Sequence, residues 1–153
     1  MPESEPSVHS TPATVSEILT TTRTWAVVGC SPDPSRDSNR IARLLGAHGY
    51  RVIPVNPAAE EILGERCYAS VLDIPAAEGV EVVDIFRRSG RAGAHVQEAI
   101  AIGARAVWLA LGVIDEAAAR RALDAGLLVV MDRCPAIELP LLEAWRRPTP
   151  GRR

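Results

Sequence analysis

Hydrophobic and polar positions along this chain fall into short apolar runs separated by longer, periodic stretches. Trp25 to Gly29, Arg51 to Val55, Val80 to Phe86, Ala106 to Leu111 and Leu127 to Asp132 are mostly apolar and rich in β-branched residues. That is the pattern of strands buried on both faces. Between the first two runs Ile41, Leu44, Leu45 and His48 recur at offsets of three, four and seven, which predicts an amphipathic helix stopped by Gly49. The same grammar returns twice. Val96, Ala99 and Ile100 precede Gly103, and Ala118, Ala119, Ala122 and Leu123 precede Gly126, each glycine leading into a strand. Strands that alternate with helices through short links need right-handed crossovers and pair in parallel. The expected fold class is α/β: a Rossmann-like, doubly wound parallel sheet of about five strands with helices on both faces.

Other segments lack so clear a period. Residues 62–75 read as a loop with a short extended piece near Cys67 and Tyr68 and then one or two helical turns. After the fifth strand, Pro135 and Pro140 argue against a continuous helix, so a turn and then a short helix from about Pro140 are expected. The ends, Met1 to Thr14 and Arg146 to Arg153, are polar and proline-containing. They bury too little apolar area to offset their ordering entropy and are expected to be disordered tails around a single domain, residues 15–145.

Composition narrows the function. A chain of 153 residues, 47% hydrophobic, supports one globular unit with a core. Its formal charge of -2 leaves no basic excess for a nucleic acid, so a phosphate ligand has to be held locally. Every one of its 17 basic residues is arginine, which excludes a Schiff-base lysine and a P-loop lysine, whatever coding bias produced it. No stretch is long and apolar enough for a membrane span, and the amino terminus does not read as a leader, so a cytoplasmic protein is expected. Cys30, Cys67 and Cys134 lie far apart, which suits reduced thiols and offers no zinc spacing; no metal is expected.

Open parallel sheets bind ligands beyond the carboxyl ends of their strands. That rule selects Gly29-Cys30-Ser31, Asn56-Pro57, Arg87-Arg88-Ser89, Gly112 and Asp132-Arg133-Cys134. In the first of these, Gly29 allows a close backbone turn, and Ser31 through Arg36 and Ser38 open a helix whose free N–H groups favour a pyrophosphate. A purely structural turn is the competing reading. The loop has one glycine where the dinucleotide fingerprint has three, and Val55-Asn56-Pro57 ends strand two without an acidic residue. An NAD(P)-dependent oxidoreductase is thereby demoted to an alternative. Arg87, Arg88 and Arg91 either grip phosphate oxygens or form a solvated basic loop. Cys134 beside Glu138 suggests a nucleophile and its base, as in a cysteine-dependent acyl transferase, but a carboxylate raises a thiol's pKa and no histidine lies nearby, so a structural cysteine is the default. Cys30 is either activated by the helix terminus or a small buried thiol. The three histidines form no triad by spacing, and Trp25, Trp108 and Trp145 read as core or interface aromatics.

Taken together, Val27-Val28-Gly29-Cys30-Ser31 with Pro34 and Arg36, Gly49 through Pro57, Val83 through Arg88, Ala106 through Leu109 with Leu111-Gly112-Val113, and Asp132-Arg133-Cys134 with Glu138 form an ordered set. From about Val15 to Trp145 it resembles the small stand-alone CoA-binding proteins, themselves similar to the amino-terminal domain of the succinyl-CoA synthetase α subunit. The resemblance implies that coenzyme A or an acyl-CoA is the ligand. It places Ser31 and Arg36 at the pyrophosphate in the loop of Gly29 and Cys30. Val55, Asn56 and Pro57 would line the adenosine end, Phe86 and Arg87 would border the pantetheine arm, and Leu111 and Gly112 would complete that channel. The synthetase's lysine near the second-strand motif is missing, which leaves the 3′-phosphate contact open to an arginine. The synthetase's phosphohistidine machinery and ligase domain are missing too, so the resemblance implies a binding module, with self-association or a partner subunit left open.

Overall fold

The computed structural model describes residues 9–146, with side chains to residue 143. Five strands, β1 (Thr24–Val28), β2 (Arg51–Val55), β5 (Val82–Ile85), β6 (Ala106–Leu109) and β7 (Leu128–Val130), form one sheet in the order β2-β1-β5-β6-β7, every pair parallel. β1, β5 and β6 are buried almost end to end, which is why their sequences do not alternate. β2 is an edge strand, and it accommodates Pro54 there.

Helices α3 (Ser89–Ala101) and α4 (Glu116–Asp124) cover one face. Ala92, Ala99, Ala118 and Ala122 let these two helices pack closely over Val83, Ile85, Val107 and Val129. The other face carries α1 (Pro12–Thr21), α2 (Asp37–Ala47) and α5 (Pro135–Arg146), with α5 touching both α1 and α2. Its centre is a pair of buried tryptophans, Trp25 and Trp108, with ring centroids 5.5 Å apart. Each indole N–H is satisfied: Trp25 Nε1 donates to Thr22 Oγ1 (2.9 Å) and Trp108 Nε1 to the Arg133 carbonyl (3.0 Å).

Three elements differ from the sequence expectations. Regular structure begins before Val15, because α1 starts at Pro12. Thr11 caps it by accepting the Thr14 N–H (3.1 Å), Pro12 sits where its missing N–H costs nothing, and Val15, Ile18 and Leu19 are buried. Ser10 is also engaged, its N–H donating to the Val129 carbonyl (2.8 Å). Second, α5 runs unbroken from Pro135, with Pro140 inside it. Pro135 opens the helix, Pro140 forgoes one bond, and buried Leu139 holds the segment against the sheet. Third, residues 61–66 form a hairpin, β3 (Glu61–Ile62) and β4 (Glu65–Arg66), turned by Leu63 and Gly64 at φ 55° and 75°. Two 3₁₀ turns, Val71–Asp73 and Ala76–Glu78, follow it as expected. The tails expected at residues 1–8 and 147–153, and the role expected for Trp145, fall outside the described residues and side chains.

Candidate functional site

Chain order and sheet order disagree at β1. The chain moves from β1 outward to β2, then jumps back across β1 to β5, so the loops leaving β1 and β5 diverge and open a crevice at their carboxyl ends. This crevice, of about 590 Å³, is lined by Gly29, Ser31, Arg36 and Phe86 together with Ser35, Asp37 and Ser38. The first four were singled out from sequence as ligand contacts and Ser38 as part of the helix start, whereas Ser35 and Asp37 were not singled out. Their signal was their place in and just before the first turn of α2.

Gly29 is required on two counts. Its φ is +80°, and a Cβ there would stand 2.4 Å from the Phe86 carbonyl oxygen and 3.2 Å from Arg87 Cδ. The β1 and β5 loops therefore touch at backbone distance, with the stem of half-buried Arg87 lying over the contact. Beyond it, Ser31 N–H donates to Ser38 Oγ (2.9 Å) and Ser31 Oγ accepts the Asp33 N–H (3.0 Å), which folds the loop onto the start of α2. Arg36, the residue before α2, supplies no side-chain cap, so the first-turn N–H groups of this helix face the crevice mouth without one. The Arg36 guanidinium is exposed. Two carboxylates share the rim. Asp37 pairs with Arg40, and Asp33 is held below its ordinary pKa by hydrogen bonds from the Ser35 N–H and hydroxyl, with a smaller contribution from Arg36.

The remaining predicted residues are placed differently. Val55 is buried, and its carbonyl accepts both the Gly29 N–H (2.9 Å) and the Cys30 N–H (3.3 Å). Asn56 Nδ2 donates to the Cys30 carbonyl (2.9 Å) while Asn56 Oδ1 accepts the Ala58 N–H (2.8 Å), so this side chain braces the glycine loop. Pro57 is exposed. Cys30 lies wholly buried beneath the loop, and burial, reinforced by Cys67 and Asp84, pushes its thiol up to about 12. Burial thereby favours the neutral thiol, and of the two readings of Cys30 the structure supports the buried thiol. Leu111 and Gly112 do not reach this crevice. They sit on the rim beyond β6, where Leu111 is 61% exposed and Gly112 N–H donates to Asp132 Oδ1 (2.7 Å).

One buried group was missed as a feature. Asp84 on β5 stands in register between Val27 and Trp108, fully buried, and neither carboxylate oxygen has a hydrogen-bond partner. Desolvation raises its pKa well above the ordinary carboxylate value. Elsewhere, Ser70 Oγ donates to Glu98 Oε2 (3.0 Å) and His95 Nδ1 contacts Glu98 Oε1 (2.8 Å). The carboxylate stands between hydroxyl and imidazole, so these three make no nucleophile–base pair. Among the described residues no group of His, Cys, Asp or Glu is placed to hold a metal ion, and no helix is long and apolar enough to cross a membrane.

Residues 23–140 match a family model described as a CoA binding domain. The chain belongs to this CoA-binding domain family. The matched span runs from the residue before β1 into α5 and includes every loop of the carboxyl rim. Within reach of the same family, the chain is 33% identical over 122 residues to the uncharacterised protein YneT of Bacillus subtilis, covering 80% of this chain and 89% of that one. A hypothetical protein from Pyrococcus horikoshii has a solved structure that superposes with a TM-score of 0.83 at 42% identity, covering 94% of this chain and 99% of that one. The dinucleotide-forming acetyl-coenzyme A synthetase 1 of Candidatus Korarchaeum cryptofilum superposes at 0.63 with 30% identity. There the likeness covers 74% of this chain but only 26% of the synthetase.

Proposed function

We propose that this chain binds coenzyme A or an acyl-CoA at the carboxyl rim of its sheet and acts as a binding module without catalytic residues of its own. The diphosphate lies in the crevice of Gly29, Ser31, Arg36 and Phe86. The adenosine end lies over Val55, Asn56 and Pro57, and the pantetheine arm runs past Phe86 and Arg87 towards Leu111 and Gly112. Its setting is the cytoplasm, where the three thiols stay reduced.

The observation that carries this reading is the meeting of an uncapped helix start with a glycine that admits no Cβ, at the point where the sheet order reverses. Amide hydrogens and the helix dipole favour an anion there, and Arg36 adds a full charge that can fork onto phosphate oxygens. Family membership supports coenzyme A over other diphosphates. Strand β2 ends at Val55 and runs into Asn56 and Pro57, with no carboxylate to receive the ribose of a nicotinamide dinucleotide. Calorimetry on the purified chain tests the assignment. CoA should bind, NAD(H) should not, and Arg36→Ala should weaken CoA by about 10- to 100-fold, the scale of one charge-assisted hydrogen bond. Absence of CoA binding at millimolar concentration would refute it.

A further inference from the structure

A groove of about 600 Å³ runs between α1 and α5 on the outer side of the tryptophan-bearing layer. Its walls are Pro12, Val15 and Ser16 from α1 and Glu138, Leu141 and Leu142 from α5. Leu141 is 57% exposed, so a substantial apolar strip faces solvent among the described residues. The mouth is polar and lies at the carboxyl rim, where Ser10 and Arg133 line it. Both are fixed in place. Ser10 Oγ accepts the Met131 N–H (2.8 Å), and the Arg133 carbonyl accepts from the buried Trp108 indole (3.0 Å).

A second cavity lies beside the groove at the rim. Ser10 and Arg133 line that cavity too, alongside Ile114 and Asp132. Asp132 in turn holds the Gly112 N–H beyond β6 (2.7 Å). A ligand arm that follows the rim from the end of β1 to the end of β7 crosses three strand spacings, about 14 Å, and then meets the polar mouth with apolar walls behind it.

We infer that this groove receives the hydrocarbon chain of an acyl-CoA, with Ser10 and Arg133 beside the thioester, so that the ligand class is a medium- or long-chain acyl-CoA rather than free CoA. This rests on the CoA reading above and goes beyond it by naming where the acyl group lies. The Arg133 guanidinium at the entrance suits a carbonyl oxygen, and the lining beyond it is mostly apolar, with Ser16 and Glu138 as its polar members, which favours a chain that leaves water.

Calorimetry of the full chain with CoA, butyryl-CoA and octanoyl-CoA provides the test. Each methylene laid fully against the walls strengthens binding by up to about fourfold, so octanoyl-CoA should bind at least about tenfold more tightly than CoA. Leu141→Glu, at an exposed position outside the residues proposed to hold CoA, should remove that gain and leave CoA affinity unchanged, which also reports that the variant is folded. Equal affinities for CoA and octanoyl-CoA overturn the acyl groove while the CoA reading stands. Failure of both ligands to bind overturns both readings. A concentration-dependent dimer that Leu141→Glu dissociates, with no preference for chain length, assigns the groove to a second copy and overturns the inference as well.

Discussion

At the scale of single residues, the most consequential is Asp84. A carboxyl group with no partner in a dry core is tolerated only in its neutral form, because the charged form loses its hydration and gains nothing in return. The sign of the pH dependence follows. The folded pKa is raised above the unfolded value of 3.8, so the folded state holds its proton where the unfolded chain releases it. The associated stability is complete below about pH 4 and is lost as pH rises towards the folded pKa, at about 1.4 kcal/mol per pH unit. Asp84→Asn removes the titrating group. Urea denaturation at a series of pH values from 4 upward should therefore show the variant gaining on the parent as pH rises; parallel profiles would show that Asp84 is solvated or paired in solution. The sequence holds a signal of this group, one carboxylate inside a run read as buried on both faces, but not its lack of a partner. Its run, Val82 to Ile85, reads as apolar except for Asp84 itself, and only the register with Val27 and Trp108 shows that no donor is at hand.

At the scale of elements, most boundaries were legible because burial on both faces leaves an unmistakable apolar run. All five strands occur at the expected positions within two residues at each end, and the glycines at 49, 103 and 126 follow the helices they were expected to close. Two errors have physical causes. Thr11-Pro12 is a helix start, but the helix is only ten residues long and its apolar stripe, Val15, Ile18 and Leu19, sits in polar surroundings. Pro140 was read as a breaker, yet a helix packed on the sheet can forgo one backbone bond when its apolar face stays buried. That residue is exposed, so Pro140→Ala should restore the bond to Ala136 without disturbing the core. Thermal unfolding should show stabilisation of up to about 2 kcal/mol, a proline's helical penalty less the entropy returned to the unfolded chain. A drop in stability would mean that the ring itself is packed.

At the scale of the whole molecule, the candidate site exists because residues 57 apart in sequence, Gly29 and Phe86, meet where the strand order reverses. Gly29→Ala combines a forbidden φ with a 2.4 Å clash against backbone, and backbone cannot rotate away as a side chain could. The variant should lose CoA binding altogether and about 2 to 4 kcal/mol of stability, the range for backbone strain joined to core displacement. Chemical denaturation and calorimetry on the same sample would check both. A variant that binds CoA normally would show that the β1 and β5 loops do not need to touch.

What the sequence determined by itself was the class of fold and the set of loops that gather at the carboxyl rim of the sheet. Period and burial are local properties, and the rule that parallel sheets bind at their carboxyl ends converts strand positions directly into loop positions. Tertiary structure alone decided which of those loop residues share a space. It brought Gly29, Ser31, Arg36 and Phe86 to one crevice, placed Cys30 and Val55 beneath it, and set Leu111 and Gly112 on the rim beyond β6, near the mouth of a separate groove. Those distinctions depend on strand order and on which helices pack against which face, and neither is written in the spacing of residues along the chain.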